Sequence, residues 1–271
     1  MHYADLHMHS IHSDGKLSVE EIIEHAKNRN LKAISITDHD TVSGTIEAVQ
    51  SPNKGSLEVI PGIELSTIHQ GEEIHILGYL FDLENKDFAQ FIQSTQSHRL
   101  ERANKMIEKF SSVGIHIDRQ ELSKISQGDS VGRPHFARLL IKMRLVHSIN
   151  EAFEKYLTPG TATYVERYKL ITMDAIKEIK NANGLSVLAH PGLIKNQDLI
   201  NQILHMKIDG IEVYHPKNNS VQIREYYQIT KENNLLITGG SDNHSGNSND
   251  YPFIGSVKIP YTYVEKLKEK R

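Results

Sequence analysis

The chain is 271 residues long, 38% hydrophobic and 24% charged, with a formal net charge of −3 and no cysteine. That length suits one large domain, or a domain with an insertion, and the near-neutral charge excludes the basic footprint of a tight duplex binder. The lack of cysteine excludes disulfides, thiolate zinc sites and a cysteine nucleophile; with no apolar run of membrane-spanning length and no basic-then-apolar leader, a cytoplasmic protein is expected.

In chain order, residues 3–9 read as a strand carrying His7 and His9. Alternate residues of a strand share a face, so the two imidazoles project from one side, about 7 Å apart. Such a pair either decorates a partly exposed strand or holds a divalent metal, and Asp14 just past the strand end offers the second reading a carboxylate. Asp14-Gly15 is a turn pair, and Ser18 with Glu21 forms a capping box that opens a helix over 19–28. A strand over 32–37, a helix near 45–50, a Pro/Gly/Asn loop over 51–56 and a strand over 57–60 follow. Gln70-Gly71-Glu72 looks like a hairpin tip, with a returning strand over 74–81. The βαβαβ order with short connections predicts parallel strands and right-handed crossovers.

From about 87 to 156 helical periodicity takes over, in segments 88–110, 119–125, 134–145 and 149–156. The apolar stripe Phe88, Phe91, Ile92, Met106, Ile107, Phe110 reads as core of an insertion. Alternation then resumes, with helices over 172–183, 197–206 and 221–233 and strands over 185–189, 210–214 and 235–238. A last short strand is expected near 254–259. The predicted organisation is one α/β barrel made of 1–82 and 160–271, interrupted by a helical insertion, 83–159.

Acidic residues and histidines gather at the C-terminal ends of these strands. They lie in Thr37-Asp38-His39-Asp40-Thr41, Gly62-Ile63-Glu64, Glu73-Ile74-His75, Ala189-His190-Pro191 and Ser241-Asp242-Asn243-His244. That rim carries the chemistry of a β/α barrel. Imidazoles and carboxylates from six strand ends can surround two or three ions, and Glu64, with two oxygens, can bridge a pair. A thiol-free set of this kind suits Mn, Fe, Zn or Mg. The chemistry open to it is hydrolysis by metal-activated water, with the ions neutralising phosphoryl oxygens. Each motif alone is weak, but five in register with the strand ends favour a metal site over scattered structural histidines. His25, His98, His147 and His205 fall in helical patterns and read as surface or satisfied residues, as do His2, His12, His69 and His116.

Together these motifs resemble the PHP (polymerase and histidinol phosphatase) family, over roughly 1–82 and 160–260. Within it the chain is most similar to the branch of 3′,5′-nucleoside bisphosphate phosphatases, some of which also act as 5′→3′ exoribonucleases. The specific signs are Thr37-Asp38-His39-Asp40-Thr41-Val42-Ser43-Gly44, Gly62-Ile63-Glu64-Leu65-Ser66 and Val131-Gly132-Arg133-Pro134-His135. The resemblance implies a distorted (β/α)7 barrel and three divalent ions per chain, Mn²⁺ first, with Fe²⁺, Zn²⁺ or Mg²⁺ as alternatives. Carried over by motif, one ion takes His7, His9, Glu64 and Asp242, a second Glu64, His75 and His190, and a third Asp14, His39 and His244. It further implies loss of the 3′-phosphate from a nucleoside 3′,5′-bisphosphate, with activated water as nucleophile and no protein nucleophile. Arg133 and His135 would hold the 5′-phosphate, since a planar guanidinium grips two oxygens and a helix start adds donors. The plainer alternative is a solvated charge beside a helix N-terminus. Asp38 is expected to orient a ligand histidine and Asp40 to touch substrate, unless either caps the loop before Thr45. His215, at a strand end where the pattern calls for no ligand, is expected to contact substrate or support a ligand. The competing functions are trimming of short 5′-phosphorylated RNA, a histidinol-phosphate-type phosphomonoesterase, and a binding module that has lost catalysis. The expected partner is a small nucleotide or short RNA, with no membrane and no obligate protein partner.

Overall fold

The computed structural model describes residues 2–128, 130–245 and 251–271; Met1 and 246–250, which fall in the expected barrel segments, lie outside them. The strands described are β1 (Tyr3–Asp5), β2 (Leu31–Ile34), β3 (Glu58–Val59), β4 (Gly62–His69), β5 (Glu72–Tyr79), β6 (Leu185–Leu188), β7 (Gly210–Tyr214), β8 (Leu236–Gly239) and β9 (Ile259–Pro260). They form two sheets, ordered β3-β2-β1-β9 and β4-β5-β6-β7-β8, and not the closed seven-stranded barrel expected from the sequence. The reason lies in how early the first sheet stops. The expected strands over 3–9 and 32–37 are laddered only as β1 and β2, so His7 and His9 lie past the ladder. There the two sheets meet through the isolated parallel bridges Met8↔Asn243 and His39↔Glu64. His9 N donates to Asn243 O (2.9 Å) and Asp40 N to Glu64 O (3.0 Å) across this seam.

The hairpin expected at Gln70-Gly71-Glu72 is present and interrupts the parallel order at β4 and β5. Gln70 (φ +49°) and Gly71 (φ +85°) are the two central residues of their turn, both left-handed as a type I′ hairpin requires. A two-residue loop joins only antiparallel neighbours. β4 and β5 therefore pair antiparallel over eight residues, and β5 meets β6 antiparallel as well. β9 runs antiparallel to β1, while β1-β2-β3 and β6-β7-β8 are parallel.

Around the sheets lie α1 (Val19–Asn28), opened by the Ser18/Glu21 capping box, and α2 (Ser43–Gln50). Between β5 and β6 the chain is helical: α3 (Lys86–Ser112), α4 (Arg119–Ser126), α5 (Arg133–Lys142) and α6 (Ile149–Ala152), the last running into a π-helical turn, Phe153–Leu157. Then come α7 (Thr172–Asn181), α8 (Asp198–Leu204), α9 (Ser220–Glu232) and α10 (Thr262–Lys270). Helix α10, which the sequence reading did not anticipate, buries Val264 and Leu267. The α3 stripe divides. Phe88 and Ile92 pack into the core shared by β4, β5 and α7, whereas Met106 and Phe110 join Phe136 and Leu140 in a separate cluster. The Phe110 and Phe136 rings stack there, 5.8 Å apart. Each such buried side chain contributes roughly 1.5–3 kcal/mol, enough to give α3–α6 a core of their own. No described helix is long and apolar enough to cross a membrane.

Candidate metal centre

Where the sheets meet, strand alternation sorts the first segment: Leu6 and Met8 enter apolar clusters, and His7 and His9 turn to the opposite side. Both imidazoles face Glu64, a fully buried residue of β4. Glu64 Oε2 lies 3.1 Å from His39 Nδ1, 3.3 Å from His9 Nε2 and 3.4 Å from His7 Nε2. Its Oε1 lies 2.9 Å from both His75 Nδ1 and His190 Nε2. Despite these distances Glu64 Oε2, His39 Nδ1, His9 Nδ1 and Asp14 Oδ1 lack hydrogen-bond partners. A buried polar atom left so costs about 1–3 kcal/mol. Lone pairs that crowd one another without pointing at one another's protons converge on a shared point, which is how cation ligands are arranged.

Ligand atoms fall into four overlapping groups, each within 4.8 Å: His9-Asp14-His39-His244, His7-Glu64-His190, His7-His9-Asp242 and His39-Glu64-His75. All nine residues expected as ligands are thus gathered in one place. Their grouping differs from the motif-based one, with His9 beside Asp14 and His244, and His7 beside His190.

Burial alone pulls the imidazoles toward neutrality, yet the carboxylates reverse this for most of them. Glu64 and Glu73 bring His75 up to about 9, and Asp14 and Asp242 bring His244 up to about 10. His7 is raised by Glu212, Glu64 and Asp242. In turn Asp14, Glu64 and Asp242 lie well below the usual carboxylate range, against burial, because histidines surround them. His39 is the exception: burial outweighs Glu64 and Asp14 and takes it down to about 3.

Supporting contacts hold the set in place. Asp38 touches no ligand histidine; it accepts from Ser10 N (2.7 Å), Ser10 Oγ (2.6 Å) and Ser13 Oγ (2.5 Å), pinning the loop that carries Asp14. Gly44 makes room for it, since a Cβ there would sit 2.1 Å from Asp38 Oδ2. Asp40 accepts from Ser66 N (2.9 Å) and pairs with Arg99 (2.5 Å). Asp40, His190 and Asp242 take left-handed backbone angles, φ +54°, +27° and +50°, a conformation disfavoured for these residues and held here by the packing around them. His215 is buried; its Nδ1 accepts from Lys217 N (3.1 Å), so Nε2 carries the proton and donates to Asp242 Oδ2 (3.2 Å).

The sequence reading missed Glu212. It is fully buried on β7, with Oε1 2.8 Å from His7 Nδ1 and Oε2 accepting from His190 N at 2.7 Å. A carboxylate on Nδ1 fixes the tautomer and leaves Nε2 to face the centre. The available signal was one acid in an otherwise apolar strand.

Arginines from distant segments lie beside the centre. Glu73 Oε1 is 3.0 Å from His75 Nε2 and 3.1 Å from Arg167 Nη1, and its Oε2 accepts from Arg133 Nη2 at 3.1 Å. Arg99, Arg102 and Arg167 line a pocket with Asp40 and Ser66. Burial, then Arg167, Arg133 and Arg99, bring Arg102 down to about 10. Arg133 and His135 are not brought together. Arg133 turns to Glu73 and lies over the Phe153 ring, whereas His135 is fully buried, its Nδ1 accepting from Gly132 N (2.9 Å).

The chain matches the family described as PHP domain over residues 5–237. It is 31% identical to a 3′,5′-nucleoside bisphosphate phosphatase from Chromobacterium violaceum, across 89% of this chain and 87% of that protein. It is 29% identical to the 5′-3′ exoribonuclease Rnm of Escherichia coli, across 89% and 84%. A solved structure assigned as a metal-dependent phosphoesterase from Bifidobacterium adolescentis superposes with a TM-score of 0.88, at 25% identity over 97% of this chain and 94% of that one.

Proposed function

The chain belongs to the PHP domain family and is a metal-dependent phosphoesterase, and from that premise we propose that it removes the 3′-phosphate of nucleoside 3′,5′-bisphosphates. The products are a 5′-mononucleotide and phosphate. The observation that carries this reading is the position of Glu73, which spans His75 of the centre and the guanidinium groups of Arg133 and Arg167. Two anion-binding features thus adjoin, one reactive and one not, as a substrate with two phosphates requires. A relative named for that activity supports the reading.

In this reading His7, His9, Asp14, His39, Glu64, His75, His190, Asp242 and His244 hold three divalent ions, Mn²⁺ by preference. Such ions, when bound, supply Lewis acidity and an activated water for in-line attack at phosphorus. Glu212 orients His7, and His215 orients Asp242. Segment 83–159 acts as a cap over one side of the centre, bringing Arg99, Arg102 and Arg133 to the phosphate that is not cleaved. Arg102 gives its Nε to Val165 O (2.8 Å) and lines the pocket. His135 serves the start of α5. The test is steady-state hydrolysis after Mn²⁺ reconstitution. A kcat/KM at least about 10²-fold higher for adenosine 3′,5′-bisphosphate than for an aryl phosphate is expected, because binding energy from the second phosphate is available only to the former. Equal values would reject the substrate.

The second reading, trimming of 5′-phosphorylated RNA, is favoured by one further feature. Lys16, Lys124, Arg138 and Lys142 line a hollow beside Asp14, whose backbone oxygen Arg138 touches. That basic surface suits the remainder of an oligonucleotide, and relatives named as 5′-3′ exoribonucleases point the same way. Reversing charge with Lys124→Glu and Lys142→Glu should then slow hydrolysis of a 5′-phosphorylated oligomer about tenfold or more at low salt and leave the bisphosphate rate unchanged.

A further inference from the structure

Next to the arginines, an aromatic pair stands where no core needs one. The His98 and Tyr168 rings stack with centroids 3.8 Å apart and planes 9° from parallel. Both line the pocket formed by Arg99, Arg102 and Arg167. Tyr168 is 55% exposed and belongs to no hydrophobic cluster, so its ring is held in orientation without being buried. His98, expected from its helical pattern to be an ordinary surface histidine, instead backs one face of Tyr168, whose ring stays largely open to solvent. Chain neighbours tie this pair to the centre: Arg167 precedes Tyr168 and bonds Glu73, and Arg99 follows His98 and bonds Asp40, the neighbour of His39.

We propose that Tyr168, backed by His98, is the stacking face for the base of the nucleotide whose phosphate lies among Arg99, Arg102 and Arg167. The inference rests on the nucleotide reading and adds a base site to it. Stacking on an aromatic ring accepts every base, because each presents a π face. One open ring face takes one base, which suits a mononucleotide or a terminal nucleotide. Such a site selects nucleotides over base-free sugar phosphates without reading base identity.

The chain has no tryptophan, so Tyr168→Trp installs a single indole reporter at the site. Adenosine 3′,5′-bisphosphate should quench its fluorescence, whereas ribose 5-phosphate and inorganic phosphate at the same concentration should not. In kinetics, Tyr168→Ala should raise KM for adenosine 3′,5′-bisphosphate about tenfold, with kcat within about twofold and Tyr168→Phe near wild type. KM for a base-free ribose 3,5-bisphosphate should be unchanged. Equal quenching by base-free ligands, no quenching, or equal KM rises would each overturn the base site. Base-dependent quenching without turnover would keep the base site and reject the proposed reaction. Turnover without base-dependent quenching would do the reverse.

Discussion

At the scale of single residues, the centre depends on one carboxylate facing five imidazoles. Glu64→Gln keeps the volume and removes the charge, so it should lower kcat/KM by at least about 10³-fold while near-native circular dichroism is retained. A folded variant with a tenth of wild-type activity would refute the central place given to Glu64. Glu212 is the subtler case, since it reaches the centre only through His7 and His190. Glu212→Gln should weaken metal binding about 10–100-fold, measured by titration against a competing chelator, with little change in fold. Most of the nine clustered residues were legible because they are polar side chains at the end of an apolar run; Asp14 lies in a turn instead, and His75 comes before the apolar part of β5. Glu212 was not, because an acid inside a strand looks like a solvent-facing alternate until both faces of that strand prove covered.

At the scale of elements, direction was legible only where a turn gave it away, as at Gln70-Gly71. Strands 62–69 and 72–79 have the apolar pattern of buried strands whichever way they pair, and only the turn between them decides. Helix α5 shows the same limit: Arg133 and His135 are two residues apart, about 200° around the axis, so neighbours in sequence serve opposite sides. Arg133→Ala should therefore lower kcat/KM on a 3′,5′-bisphosphate by about 10²-fold, the worth of a charge-assisted contact, and leave an aryl phosphate nearly unaffected. Equal losses on both would assign Arg133 to the fold or to the chemistry. The loop held by Asp38 makes a separate prediction. In Gly44→Ala the new methyl meets Asp38 Oδ2 and Ser10 Oγ, and displacing Asp38 releases the Ser10–Ser13 turn behind Asp14. Denaturant unfolding should show a loss of about 1–3 kcal/mol, accompanied by reduced metal content. Full metal occupancy with only the stability loss would mean that Asp14 is positioned by other contacts.

For the molecule as a whole, the seam between the sheets is where fold and chemistry are coupled. Two isolated bridges join the sheets there, with backbone hydrogen bonds such as Asp242 N to His7 O and Leu6 N to Gly239 O, an apolar cluster of Ala4 and Leu6 with Leu77 and Tyr79, and the centre's own charged groups. Without metal, His75 and His244 titrate near 9 and 10, above the value of about 6.5 in an unfolded chain. The folded protein then binds protons that the unfolded chain has released, so their stabilisation is complete below about pH 6.5 and is lost as pH rises through 9–10. The lowered Asp14, Glu64 and Asp242 act oppositely, giving stability that is present above about pH 4 and lost on acidification. His39, near 3, also opposes acid, because below about pH 6.5 the unfolded chain takes up a proton that the folded one refuses. Metal changes the sign on the alkaline side. Ligand imidazoles must be neutral, so binding expels the protons whose loss would otherwise destabilise the fold. The chelator-treated protein should therefore show a Tm that falls steadily between pH 6.5 and 9.5, and Mn²⁺ should remove that fall. Differential scanning calorimetry across this range, with and without metal, makes the comparison. Parallel curves would mean that the centre's imidazoles exchange no protons for metal, and that the seam is held by its backbone bonds and apolar contacts.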